Sequence, residues 1–221
     1  MNAALIIFAK APVAGQAKTR LIPALGAAGA AALAERLLEH TLAAAQAARP
    51  DALELCITPD DTPATRHPAF TRMQAAHRFT ITAQGAGGLG QRMQRALARA
   101  LQVHAGALLI GTDAPALGAP LLAAAAAKLH THDAVFVPAL DGGYALVGLR
   151  HGTRDAAALF EGVAWGTGQV MAQTRERAAA AGLRWAELEA VADIDEAADL
   201  VHLPASWLAA LPGTALPSFE R

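Results

Sequence analysis

Apolar and polar positions fall into blocks of two kinds along the chain. Residues 4–9 form an unbroken apolar run of strand length, which predicts a strand buried on both faces. Similar short runs recur at residues 53–58, 79–82, 107–110, 134–137 and 144–149. Between them the spacing is helical. Residues 27–48 carry Leu33, Leu37 and Leu42 on one side and end near Pro50. Leu89, Met93, Leu97 and Leu101 recur at helical intervals, with Arg92, Arg95 and Arg99 on the other face. Shorter helices are expected at 68–76, 120–129, 167–181 and 196–202, and an edge strand at 184–188. This alternation predicts an α/β fold of three αβα layers around a mainly parallel, Rossmann-like sheet. The short turn Asp141-Gly142-Gly143 leaves room for one antiparallel strand. Residues 1–203 read as one domain, and residues 204–221, with Pro204, Pro212 and Pro217, as a loosely attached tail.

Composition narrows the chemistry. The 221 residues are 54% hydrophobic and 17% charged, enough apolar material for a sizeable core. Alanine is the commonest residue and inflates that figure. The formal net charge is −1, so no basic excess exists to neutralise a nucleic-acid backbone. The single cysteine, Cys56, excludes an internal disulfide and a multi-cysteine zinc site. The only serines, Ser206 and Ser218, stand near the C-terminus, which argues against a serine nucleophile. The alanine-rich run at 121–127 is too short to span a bilayer, and no basic region precedes residues 3–9 as in a signal peptide. The chain is expected to be soluble and cytoplasmic, monomeric or homodimeric, with neither nucleic acid nor membrane as partner.

In such sheets ligands bind beyond the carboxyl ends of the strands. After the first strand comes Lys10-Ala-Pro-Val-Ala-Gly15-Gln-Ala-Lys18-Thr19-Arg20, whose glycine, hydroxyl and cations suit a phosphate, although it is not a Walker motif; a solvated basic loop is the alternative. After the fourth comes Asp113, placed to hold a hard cation or to cap the next helix. Asp193-Ile-Asp195, if extended, points two carboxylates to one face, where they could clamp a metal with Asp113; Asp195 could instead cap a helix. Asp141-Gly142-Gly143-Tyr144 is a tight turn able to present an acid and a ring. Gly85 to Gly90 lacks the Rossmann spacing but opens the arginine-bearing helix. His130 and His132 fall at a turn away from the other candidates.

Together, Ile-Ile-Phe-Ala-Lys-Ala-Pro-x-x-Gly-x-x-Lys-Thr-Arg-Leu, Gly-Gly-Leu-Gly-Gln-Arg-Met, Gly-Thr-Asp-Ala-Pro, Asp-Gly-Gly-Tyr-x-Leu-x-Gly-Leu, Trp-Gly-Thr and Asp-Ile-Asp resemble the glycosyltransferase A-like, or nucleotide-diphospho-sugar transferase, superfamily over about residues 4–202. The nearest branch is that of arsenosugar-biosynthesis-type glycosyltransferases, with phospholactate and molybdenum-cofactor guanylyltransferases more distant. The resemblance implies nucleotide binding by Ala9, Lys10, Gly15, Lys18, Thr19, Arg20, Gly88 and Arg92. It implies Mg2+ or Mn2+ on Asp113, Asp193 and Asp195, and an acceptor site of Gly142, Gly143, Tyr144, Trp165 and Thr167. Asp113, Asp141 and Lys18 are the expected catalytic groups, Asp141 as the base that activates the acceptor.

The chain departs from the family pattern at Ala116, Gly88 and Gln91, where acids are usual, at Ala145, where an aromatic is usual, and after Asp195. The expected activity is metal-dependent glycosyl transfer from a nucleotide sugar to a small-molecule acceptor. Nucleotidyl transfer from a nucleoside triphosphate to a phosphorylated or carboxylic acid metabolite, and nucleotide binding without turnover, are the alternatives.

Overall fold

A computed structural model of the chain describes residues 2–58 and 66–212. Seven strands form one sheet: β1 Ala4–Lys10, β2 Ala52–Thr58, β3 Thr80–Ala83, β4 Gly106–Ile110, β5 Ala134–Pro138, β6 Tyr144–Arg150 and β7 Trp185–Glu187. Their order is β3-β2-β1-β4-β6-β5-β7. All neighbours are parallel except β6, which lies antiparallel between β4 and β5. The expected antiparallel excursion is therefore present, and it runs through the middle of the sheet. The helices are α1 Ile22–Ala47, α2 Pro68–Ala76, α3 Leu89–Leu101, α4 Ala119–Lys128, α5 Val170–Ala180 and the short α6 Ala205–Ala209.

Strand alternation explains the layers. Leu5, Ile7, Leu55, Ile57, Leu108 and Ile110 point to one face, where α1, α2 and α4 cover them through Leu38, Leu42, Phe70 and Leu122. Ile6, Cys56, Leu109, Phe136 and Val147 point to the other, under α3 and α5 through Met93, Leu97, Met171 and Ala178. Each fully buried Leu, Ile or Phe side chain is worth about 1.5–3 kcal/mol relative to exposure, so the two apolar layers dominate stability.

The helix expected from residue 27 is the main part of α1, and a helical turn from Ile22 precedes it across a break at Gly26 (φ 69°, ψ 165°) that only glycine adopts easily. Thr19 to Ala47 is long and apolar enough to cross a membrane by length and composition alone; here Leu33, Leu37, Leu38 and Leu42 are buried in the protein. One expectation is corrected: residues 204–211, expected as part of a loose tail, pack instead. Leu203 and Leu211 are buried with Leu33, Leu37 and Ile194, and Arg36 stacks over the Trp207 ring at 4.8 Å. Proline spacing hid this, because the apolar residues lie between the prolines. Pro217 and Ser218 lie outside the described residues.

Candidate functional site

The carboxyl ends of β1, β2, β4 and β5 and the start of β6 surround a cleft of about 620 Å³. One wall is the loop after β1. Its Lys18 takes a left-handed conformation (φ 47°, ψ 46°) before the helical turn Thr19–Leu21. That conformation is uncommon for a residue with a Cβ and needs outside support. The support is ionic: Lys18 Nζ lies 2.5 Å from Asp113 Oδ1 and 2.9 Å from Asp195 Oδ1, and donates to the Ile194 carbonyl at 2.5 Å. Burial alone would pull this ammonium down, but the two carboxylates outweigh it and hold Lys18 above the usual lysine value.

Asp195 is free to do this because Asp199 takes the helix-capping role, accepting from the N–H groups of Asp195 (2.9 Å) and Glu196 (2.7 Å). Ile194, buried under α1, fixes the segment, and its N–H donates to the Asp113 carbonyl at 2.8 Å. Lys10 ends β1 beside Thr58, its register partner on β2.

The opposite wall is the turn between β5 and β6 together with residues 164–168. Gly142 (φ +91°) presses on this second segment so closely that an added Cβ would lie 2.1 Å from the Gly168 carbonyl oxygen. Met171 N–H donates to the Gly142 carbonyl at 2.8 Å, and Gly143 N–H to Asp141 Oδ1 at 2.8 Å. Tyr144 stands edge-on to Trp165 with ring centres 6.2 Å apart. Burial pushes the Tyr144 phenol far up, so it stays neutral. Trp165 rests on α3 at Gly90, where a Cβ would come within 2.7 Å of its indole nitrogen.

The three carboxylates expected to bind a metal do not form one ligand set. Lys18 occupies the space between Asp113 and Asp195. Asp193 lines a separate cavity of about 130 Å³ that also borders Asp113 and Asp141. Its carboxyl is pushed up to about 6, by burial first and then by Asp141, Asp195 and Asp199. Among the described residues no group of three or more His, Cys, Asp or Glu side chains is arranged to hold a metal ion. The aligned carboxylates of the Asp193–Asp195 segment end in different cavities, and a lysine far away in sequence inserts between Asp195 and Asp113. In this arrangement the residues do not fit a divalent ion.

A family model matches residues 41–167: DUF2064, described as an uncharacterized protein conserved in bacteria. The chain belongs to the DUF2064 family. This DUF2064 protein is also similar to a candidate nucleotide-diphospho-sugar transferase of Desulfovibrio desulfuricans G20 at 30% identity, over 90% of this chain and 84% of that one, with a TM-score of 0.81. It shares its fold with 4-diphosphocytidyl-2C-methyl-D-erythritol synthase of Anaerococcus prevotii (12% identity, 91% and 97% of the two chains, TM-score 0.58). A Methanothermobacter nucleotidyl transferase shares it too (15%, 95% and 99%, 0.58). No curated protein matches the chain in sequence. The superfamily and fold expected from the motifs are those found.

Of the expected nucleotide-binding residues in this DUF2064 protein, Ala9, Lys10, Lys18, Thr19, Arg20 and Arg92 line the cleft. Gly15 sits in an exposed left-handed turn, and Gly88 caps α3, its N–H donating to Gln91 Oε1 at 3.1 Å; neither lines the cleft. The arginine face of α3 is largely structural. Arg99 pairs with Glu54, and Arg95 donates to the carbonyls of Gln84 (2.9 Å) and Ala86 (2.5 Å). Asp141, Gly143, Tyr144, Trp165 and Thr167 line the far end, with Gly142 buttressing them from behind. Lining residues that the sequence reading missed include Thr58, Gln84, Leu89, Met93 and Val170. Gln84 is buried, its amide nitrogen donating to Cys56 O at 3.0 Å. Its place between a strand end and a glycine loop was the available signal. His130 and His132 lie before β5, at its amino end, and do not line the cleft.

Proposed function

We propose that the protein is a transferase that moves a glycosyl group from a nucleotide sugar to a small-molecule acceptor. The observation that carries this reading is the division of charge within one cleft. Lys10, Lys18 and Arg20 stand on the wall that follows β1, while Asp141 and the Tyr144–Trp165 pair stand on the other. The donor diphosphate lies against the cationic loop. The acceptor oxygen attacks the anomeric carbon, and the bond from that carbon to the diphosphate oxygen breaks. The nucleoside diphosphate leaves with the electron pair, and the acceptor's hydroxyl proton passes to the Asp141 carboxylate, which is exposed and can return it to water. Positive charge fixed in advance beside the departing phosphate lowers the barrier, because it need not reorganise as charge develops. To meet the diphosphate, Lys18 exchanges at least one of its carboxylate partners for a phosphate oxygen.

A panel of nucleotide sugars and nucleoside triphosphates, followed by thermal denaturation in magnesium buffer, tests the donor. A ligand bound only by the folded state adds about 2.7 kcal/mol at a hundredfold excess over its dissociation constant. A rise in Tm with a nucleotide sugar, lost in Lys18→Met, is the expected result. No rise with any nucleotide overturns the reading. Repetition in EDTA separates two sources of charge: a retained rise assigns the diphosphate to the loop cations alone, and a lost one assigns an ion to the donor's own phosphates.

A further inference from the structure

The two ends of the cleft differ in what they could accept. Four cations line the cleft among the described residues: Lys10, Lys18, Arg20 and Arg92. Lys18 is held by Asp113, Asp195 and the Ile194 carbonyl. Arg92 turns towards β2, with Nε donating to the Gly87 carbonyl at 2.7 Å and a terminal nitrogen 3.5 Å from Thr58 Oγ1. The end bounded by β6 is different. Its wall is Leu89, Met93, Tyr144, Trp165 and Val170, and the charge beside it is Asp141, with Asp193 behind, while Asp113 is paired with Lys18. Leu89 leaves 45% of its surface exposed on the cleft wall. An anion placed there meets the like charge of Asp141 at close range, which disfavours its binding.

The aromatic pair is also fixed in place. Tyr144 packs on Phe136 with ring centres 5.7 Å apart and against Met93, and Trp165 is seated in the gap that Gly90 leaves. The 164–168 segment is closed by Gln173, which accepts from Ala164 N–H at 2.8 Å, and by the Thr167 hydroxyl, which donates to the Ala164 carbonyl at 2.7 Å. A rigid ring beside an exposed leucine recognises a flat apolar face at little cost in ordering. Asp141 uses Oδ1 for the Gly143 N–H, and its second oxygen carries no bond among the described residues. A hydroxyl on the bound ring can donate to it.

We infer that the acceptor of this site is an uncharged, ring-bearing compound with an apolar face and a free hydroxyl, not a phosphorylated or carboxylic acid metabolite. This rests on the reading of the cleft as a donor-and-acceptor site and makes nucleotidyl transfer to an anion the disfavoured reaction. Aryl alcohols and sugars share the required chemistry.

The test uses the full chain carrying Trp185→Phe and Trp207→Phe, so that Trp165 is the sole tryptophan and is excited selectively. Benzyl alcohol and methyl β-glucoside are titrated against benzoate and glycerol 3-phosphate. A saturable change with a neutral ring, and binding of the anions weaker by at least about tenfold, is expected. Which neutral probe binds more tightly assigns the ring class. Anion binding as tight as that of the neutral counterparts, or no binding of either neutral probe, overturns the inference. Leu89→Arg places a cation on the rim at an exposed position that the core does not need. It is expected to raise anion affinity by roughly tenfold, and no gain counts against the charge argument. Nucleotide-sugar titrations by thermal shift on the same protein keep the two readings apart. A donor shift without neutral-ring binding sinks only the acceptor class, and the reverse result sinks the donor site.

Discussion

The two walls of the cleft are held by different forces. The wall after β1 is held by charge: Lys18, in a left-handed conformation, is anchored by carboxylates about a hundred and nearly two hundred residues away. The wall before β6 is held by shape: Gly142 lies against Gly168 and Trp165 fills the space above Gly90. Ionic contacts can exchange partners when an anion arrives, whereas steric interlocks cannot yield without losing contact area. The cleft therefore pairs an adaptable ionic wall with a rigid interlocked wall.

Substitution can break this comparison at its strongest point. Gly142→Ala must place a methyl group 2.1 Å from a backbone oxygen at a positive φ, and is expected to cost about 3 kcal/mol or more in urea denaturation. A loss below 1 kcal/mol would show that the interlocked wall is softer than its contacts imply. Gly90→Ala forces Trp165 to shift, and a loss of about 2 kcal/mol with a change in Trp165 emission is expected.

Lys18→Met leaves Asp113 and Asp195 facing each other without a cation. Both carboxylates are partly exposed, so the expected stability loss is smaller, about 1–2 kcal/mol, with complete loss of the donor-induced rise in Tm. Salt sharpens the contrast. At 1 M NaCl the screening length is about 3 Å, so the deficit of Lys18→Met should shrink while that of Gly142→Ala stays. Equal salt responses would contradict the division.

The smallest effect is one of pH. The Asp193 carboxyl sits at about 6 in the fold against 3.8 for an ordinary aspartate, so the folded state favours its protonated form. The associated stability is full below about pH 4 and is lost as pH rises through 6. Asp193→Asn should melt higher than the parent above pH 6 and equally near pH 4. A constant difference across that range would assign the effect to packing.

Much of the architecture was legible along the chain because the central strands β1, β4, β5 and β6 are apolar on both faces over most of their length. Residues 53–58, 107–110 and 134–137 each fall within an observed strand, and residues 68–76 coincide with α2. The cleft was legible too, since chemistry-bearing residues follow strand ends: Lys10, Asp113 and Asp141 all line it. The partnerships inside it were not. Nothing local to Lys18 indicates that its ammonium lies between Asp113 and Asp195, and the two aspartates of Asp-Ile-Asp end in different environments. The packed segment at 204–211 was obscured because its contacts are with α1, far away in sequence.

The sequence by itself determined the alternation of elements, the tight Asp-Gly-Gly turn and the family motifs, because hydrophobic period and glycine's freedom at positive φ are local properties. Only the tertiary structure decided which acid meets which base, that β6 inserts between β4 and β5, and that one end of the cleft is cationic and the other apolar and acidic. Those outcomes depend on side chains brought within a few ångströms by packing. At that range charge and steric exclusion decide the arrangement, and spacing along the chain carries little record of it.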